Sequence, residues 1–277
     1  MPGILYIVAT PIGNLKDVTY RAVATLRQVD TIACEDTRRT GKLLGHYGIQ
    51  TPARSFHEHN EERQTTELIE RLRSGRSVAL VSDAGMPLIS DPGYRLVAAA
   101  AAEGVPIVPI PGASAVVTAL AASGLPTDSF RFCGFLPNKP NSRRSALEAL
   151  RSETATLVLF EAPHRILESL SDIGAILGER PMALAREMTK MHEEFLRGTP
   201  AQLREILAGR GSLQGEMTLV VGWQAPQTEK PSDSEIHGMV EALVCSGKPR
   251  MEAMKQTARR LGLSKREVYA IAGRGGE

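Results

Sequence analysis

The chain has 277 residues, 42% of them hydrophobic and 23% charged, and a net charge of +2. That balance is ordinary for a globular protein of two domains with a small appendage, and it does not by itself select a polyanionic partner. Three dispersed cysteines, Cys34, Cys133 and Cys245, form no C-x-x-C pair and exclude a disulfide framework and a thiolate zinc site. No stretch reaches the roughly 18 apolar residues of a membrane span. The start carries neither a basic leader nor a long apolar run, so the cytoplasm is the expected compartment.

In chain order, residues 4–9 read as a strand, 19–29 as a helix, 31–34 as a second strand and 61–73 as a helix closed by Gly75. A strand over 78–82, a helix over 92–103, a strand over 106–110 and a small-residue helix over 113–123 follow. This β–α alternation predicts a mainly parallel sheet with helices on both faces. A second α/β block starts near Ser129, with strands over 130–136, 157–161, 182–186, 194–197 and 217–223 and helices over 143–151, 165–177 and 201–208. Thr199-Pro200-Ala201-Gln202 fits a capped helix start. Adjoining strands without intervening helices predict that this second sheet is mixed.

The expected organisation is an N-terminal α/β domain over 1–125, a second over 126–224, a polar, proline-containing linker over 225–234 and a helical domain over 235–277. The last region reads as helices over 235–245, 251–261 and 265–272, with a capping box at Ser264–Glu267 and a tight joint at Gly262. From Cys245 onward eight basic residues (Lys248, Arg250, Lys255, Arg259, Arg260, Lys265, Arg266 and Arg274) stand against Glu252, Glu267 and Glu277. Such a tail suits either a polyphosphate partner or a helical cap on the core.

The densest turn chemistry follows predicted strands: Thr10-Pro11-Ile12-Gly13-Asn14-Leu15, the run from Asp83-Ala84-Gly85-Met86-Pro87 to Asp91-Pro92-Gly93, and Pro111-Gly112-Ala113-Ser114-Ala115. Ligands of open parallel sheets bind beyond the carboxyl ends of strands, so three such loops on one edge predict a binding crevice. No G-x-x-x-x-G-K-[ST] is present and no G-x-G-x-x-G follows a strand, which excludes a P-loop and a standard Rossmann site.

Taken in order, Leu5–Leu15, Glu35-Asp36-Thr37-Arg38-Arg39-Thr40, Val81–Pro87 with Asp91–Gly93, and Arg186-Glu187-Met188-Thr189-Lys190 resemble the tetrapyrrole methylase superfamily, and within it the enzymes that methylate ribosomal RNA. The resemblance covers about residues 4–223, and the basic tail is similar to the helical appendage of that branch. It departs at Met86, where Thr is usual, and at Ala113-Ser114, where Pro-Cys is common. It implies an α/β fold of two domains with a cofactor cleft between them. It further implies methyl transfer from S-adenosylmethionine to the ribose 2′-hydroxyl of a cytidine in the decoding region of 16S ribosomal RNA or of the small subunit, and a homodimer.

For the cofactor, the candidate residues are Asp83, Ala84, Gly85, Met86, Ser114, Ala115 and Glu161, with Ala185 and Thr218 framing the adenine. Ser114 and Ala115 open a helix whose free amides can meet a carboxylate, while Asp83 can accept from amides or fix its own turn. A ribose hydroxyl needs a base: a desolvated Lys190 is one candidate, with Glu187 orienting it or acting itself. A surface ion-pair set over Arg186, Glu187 and Lys190 is the alternative. For RNA, Arg38 and Arg39 suit phosphate with Asp36 holding them, Arg143 and Arg144 form a second basic loop, and Arg165 completes the substrate set. No metal is required, and His57-Glu58-His59 reads as a solvated loop. A tetrapyrrole C-methyltransferase, distinguished by a large apolar pocket, and a non-catalytic RNA-binding protein remain the rival readings.

Overall fold

The computed structural model describes residues 2–223, 232–261 and 263–272. The chain divides into two compact units, Met1–Trp223 and Gln224–Glu277.

The larger unit holds two five-stranded sheets. The first contains β1 (Leu5–Val8), β2 (Thr31–Cys34), β3 (Ala53–Ser55), β4 (Val78–Val81) and β5 (Ile107–Ile110), in the order β3-β2-β4-β1-β5 and parallel throughout. Its helices are α1 (Tyr20–Gln28), α2 (Thr37–His46), α3 (Glu61–Arg73) and α4 (Tyr94–Ala102). β2 and β4 are buried along their whole length, as strands covered on both faces must be. Leu68, Ile69 and Leu72 pack on one face with Leu5 and Leu80; Leu26, Leu43 and Leu44 pack on the other with Val8 and Ile32. The connection from β1 passes β4 to reach β2, whereas that from β4 passes β1 to reach β5. The two therefore leave in opposite directions, and a crevice opens between the ends of β1 and β4.

Two elements of this half fall outside the sequence reading. α2 begins at Thr37, where residues 35–40 read as a substrate loop, and β3 is a three-residue edge strand.

The next helix, α5 (Ala115–Ser123), ends at the left-handed Gly124 (φ 79°). It was expected to complete the first sheet. Instead Val116, Ala119 and Leu120 pack against Val158, Ala183, Ala185 and Val220 of the second. That sheet contains β6 (Phe130–Phe135), β7 (Thr156–Glu161), β8 (Met182–Arg186), β9 (Glu194–Gly198) and β10 (Met217–Val221), ordered β6-β7-β10-β8-β9. Only β6 and β7 run parallel, so the sheet is mixed. α6 (Pro140–Glu148), α7 (Ile166–Leu177) and α8 (Pro200–Ala208) cover its other face through Leu147, Ile166, Leu170, Ile173, Leu203 and Leu207. Thr199 and Gln202 form the expected capping box of α8.

The smaller unit comprises α9 (Asp233–Cys245), α10 (Arg250–Leu261) and α11 (Lys265–Ala272) around Ile236, Val240, Ala253, Ala258 and Val268. α9 starts at Asp233, inside the expected linker, because Ser232 and Glu235 form a capping box. The remaining linker, residues 225–231, and the joint at Gly262 lie outside the described residues. Ser264 and Glu267 bond reciprocally at the head of α11. Arg250 is structural: it pairs with Glu241 at 3.0 Å and donates to the Ala272 carbonyl at 3.0 Å. Lys255, Arg259, Arg260, Lys265 and Arg266 are exposed.

Candidate functional site

The loops after β1 and β4 are stitched together before any ligand is considered. Thr10 and Gly85 exchange backbone hydrogen bonds of 2.8 and 3.0 Å, and the Thr10 hydroxyl donates to the Ser82 carbonyl at 3.1 Å. Ser82 Oγ in turn donates to the Gly85 carbonyl at 3.2 Å. These bonds hold the loop from Asp83 to Met86 in one shape at the crevice.

A cavity of about 450 Å³ lies beside it, a size suited to a cofactor. Asp83, Ala84, Gly85 and Met86 line it from the first sheet's side, and Ser114, Ala115, Glu161 and Thr218 from the second's. Ile12, Phe160 and Met188 add apolar wall. Ser114 caps α5 without a side-chain bond to the helix, so the amides of the first turn are left for another acceptor. Ala185 is not on the wall: it is 1% exposed and packs beneath it. The Glu161 carboxylate turns away, accepting from Arg165 Nε, Ser169 Oγ and its neighbouring amide, Ala162 N. Arg165, also bonded to Asn138, is thereby consumed and buried, which removes it from the substrate set.

Five carboxylates border this cavity, of which Glu161 is paired with Arg165, Glu216 with Lys190 and Asp83 with Arg39. Glu35 and Asp91 are the others. Burial, then Glu35 and Asp83, push Asp91 up to about 6, and burial followed by Asp83 raises Glu35. Each shift records the cost of holding negative charges close together in a partly desolvated place, and a cation entering the cavity relieves it.

A second cavity, of about 220 Å³, contains Thr10, Gly13, Lys42, Lys190 and Glu216. Lys190 Nζ lies 2.7 Å from Glu187 Oε1 and 3.1 Å from Glu216 Oε2. The turn carrying it is strained, with Glu187 at φ 51° and Thr189 at φ 67°. Glycines make room for that turn. A Cβ on Gly13 would stand 2.7 Å from Lys190 Cγ, and one on Gly215 2.4 Å from Glu187 Cγ. Burial alone would lower the Lys190 pKa, but hydrogen bonds to Glu187 and Glu216 outweigh it and hold the ammonium above its ordinary value. The Lys190 hydrogen bond chiefly lowers Glu187. The resting side chain is therefore a paired cation and not the neutral amine expected of a desolvated lysine. Arg186 belongs to a separate pair, 3.1 Å from Glu194.

A third cavity, of about 420 Å³, is lined by Glu35, Asp36, Arg38, Arg39, Ser55 and His57, among others. Asp36 caps α2 by accepting from Arg38 N at 2.8 Å, and the exposed Arg38 folds back onto the same carboxylate at 3.1 and 3.2 Å. That side-chain contact is the main reason Asp36 falls to about 2. Arg39 reaches Asp83 at 3.3 Å.

The expected second basic loop does not exist as such. Lys139 caps α6, and Arg143, 2% exposed, binds Asp172 at 2.7 Å and Glu168 at 3.1 Å. A buried guanidinium paired with two carboxylates has no donor fork to offer a phosphate. Arg144 stays exposed, bonded to Asn141 and 3.6 Å from Asp172. Sequence reasoning missed Glu216, which is 26 residues from Lys190 with no motif joining them, and it gave no role of their own to Glu35, Asp91 or Lys42. Among the described residues no group of three or more His, Cys, Asp or Glu is arranged to hold a metal, and no helix is long and apolar enough to cross a membrane.

With this geometry in view, the chain matches the family model for tetrapyrrole (corrin/porphyrin) methylases over residues 4–204. It is 50% identical over 276 residues to a ribosomal RNA small subunit methyltransferase I of Halalkalibacterium halodurans, an alignment covering 97% of this chain and 94% of that one. Among solved structures it is similar to a diphthine synthase, with a TM-score of 0.61 at 18% identity over 79% of this chain and 90% of that one. It is also similar to a uroporphyrin-III C-methyltransferase from Thermus thermophilus complexed with S-adenosylhomocysteine. There the TM-score is 0.54 at 16% identity, over 79% and 97% of the two chains.

Proposed function

The chain belongs to the tetrapyrrole (corrin/porphyrin) methylase family, and on that premise we propose that it is an S-adenosylmethionine-dependent ribosomal RNA methyltransferase, which 2′-O-methylates a cytidine of 16S ribosomal RNA. The observation that carries this reading is the near-full-length relation to ribosomal RNA small subunit methyltransferase I, at 50% identity.

The first cavity fits the methyl donor by its chemistry. Asp83, Glu35 and Asp91 suit a ligand carrying sulfonium and ammonium charges, the α5 amides at Ala115 suit its carboxylate, and Met86, Phe160 and Thr218 suit a flat purine. When bound, S-adenosylmethionine supplies an already activated methyl group, so the protein's work is alignment and proton removal.

In the second cavity Lys190 is placed to donate to the attacking ribose oxygen. As the ribose oxygen loses its proton, Nζ passes one of its own to the ionised Glu187 and takes up the ribose proton, so the pair gains one proton and its net charge rises by one. Glu216 holds the ammonium in line. Arg38, Arg39 and Arg144 serve the RNA phosphates, with Asp36 fixing the fork of Arg38. The charged walls of the second and third cavities suit a phosphodiester chain better than a planar apolar macrocycle. We assign the exposed cations of α10 and α11 to RNA backbone contact, and we read the working protein as a cytoplasmic homodimer. Transfer of label from S-adenosylmethionine to ribose in small ribosomal subunits tests the reading; transfer only to a tetrapyrrole, or none, overturns it.

A further inference from the structure

Glu35 stands on the wall shared by the first and third cavities, and its carboxylate makes no hydrogen bond or ion pair among the described residues. His57 also lines the third cavity; its backbone is pinned by Asn60 Oδ1 at 2.8 Å, and its buried ring Nδ1 has no hydrogen-bond partner among the described residues. Its Nδ1 is fully buried, and a buried N–H without an acceptor costs more than a bare lone pair there. The ring proton is accordingly placed on Nε2, where it can be donated. The cavity thus presents an acceptor, Glu35, and a donor, His57, with no hydrogen bond between them and near enough for His57 and Arg39 to act on the Glu35 charge. Arg38 and Arg39 stand at the same cavity, suited to a phosphate, and Arg39 is shared with the chamber of Lys190.

Resting on the RNA methyltransferase reading, we propose that the third cavity receives the base of the target nucleotide, with Glu35 accepting from an exocyclic amine and His57 donating to the neighbouring ring nitrogen. Cytosine and adenine present that amine-beside-acceptor pattern on their pairing edge. Uracil presents the reverse, a carbonyl beside an N–H, and would leave Glu35 facing an oxygen. The site therefore favours cytosine and adenine over uracil, and uracil is rejected because the half-buried Glu35 and His57 are left without matching partners. Burial, followed by the negative charge of Asp83, raises Glu35 and strengthens it as an acceptor.

The test uses the full chain and small ribosomal subunits whose target position carries either cytidine or uridine. Each is assayed for initial rates of label transfer, with S-adenosylhomocysteine affinity measured alongside. A Gln side chain can turn either face to the base. Glu35→Gln is therefore expected to lower the cytidine-to-uridine ratio of kcat/KM by about tenfold or more, whereas any loss of S-adenosylhomocysteine affinity through the cofactor cavity that Glu35 also borders acts on both substrates alike and leaves the ratio as it is. His57→Ala is expected to raise KM for the cytidine substrate several-fold. An unchanged ratio in Glu35→Gln overturns the base-reading role. Absence of transfer to any RNA by the unaltered chain overturns the underlying methyltransferase reading as well.

Discussion

Arg39 Nη1 lies 3.3 Å from Asp83 Oδ2, and these two side chains border all three cavities. Asp83 also accepts from the amide of Asp36 at 3.1 Å, so the ion pair ties the loop after β4 to the start of α2. On the proposed reading, the sites of the methyl donor, the ribose oxygen and the base share this reference point.

Asp83→Asn removes the charge and keeps one acceptor for Asp36. Because the pair is partly exposed, screening limits its worth. S-adenosylmethionine affinity is expected to fall about five- to tenfold, on the scale of a charged hydrogen bond, and calorimetric titration reads it directly. Affinity equal to that of the unaltered protein would remove Asp83 from the cofactor site.

Lys190→Met keeps the length of the side chain and deletes its proton-handling head. Single-turnover transfer is expected to slow by roughly two to four orders of magnitude, the usual range for a positioned proton carrier. S-adenosylhomocysteine binding should barely change. A loss confined to KM would mean that Lys190 only holds substrate.

Gly215→Ala places a methyl group 2.4 Å from Glu187 Cγ at a backbone φ of 95°. The Glu187–Lys190 turn must shift, and the protein is expected to lose about 1–3 kcal/mol of stability together with most of its activity. Thermal unfolding and label transfer measure the two effects; activity retained in a destabilised protein would detach the turn from catalysis.

Asp91 predicts a pH dependence with a definite sign. Its pKa is about 6 in the folded, ligand-free protein against an ordinary 3.8. The stability that its protonated form contributes is therefore fully present below about pH 4 and is lost as the pH rises through about 6. A cationic ligand favours the ionised form, so S-adenosylmethionine affinity should increase from pH 5 to 7 with release of a proton. Calorimetry in buffers of different ionisation heat detects that proton, and Asp91→Asn should abolish the release. A flat profile in the unaltered protein would detach Asp91 from cofactor binding.

Removing residues 224–277 is expected to weaken RNA binding more than S-adenosylmethionine binding. Within the full chain, Arg259→Ala with Arg260→Ala should reduce the slope of log affinity against log salt by one to two, following counterion release. An equal loss of RNA and cofactor binding on truncation would make the helical unit a cap.

Much of the frame was legible because it rests on periodicity. The apolar spacing over 61–73 predicted α3 to the residue, and adjoining strand runs predicted the mixed second sheet. α2 was not legible: its apolar content is little more than Leu43 and Leu44, it contains Gly41 and Gly45, and its start depends on the Asp36 cap. The loops of the first cavity could be found from turn chemistry after strands. Partners distant in sequence could not be. Nothing near Arg143 announces Asp172, 29 residues away, and without that pairing a buried arginine reads like a surface one. For Lys190, the pairing with Glu187 lay within one motif, but its second partner, Glu216, comes from another loop and was not legible.

The allegiance of α5 bears on how this protein can be divided and recombined. The helix follows β5 in the chain, yet its apolar side is built into the sheet that begins at Phe130. A fragment ending at Gly124 would carry an exposed apolar helix and leave the other half with an uncovered sheet face. Hybrids spliced between relatives should therefore keep their crossover ahead of Ser114, so that α5 is inherited with the strands it covers.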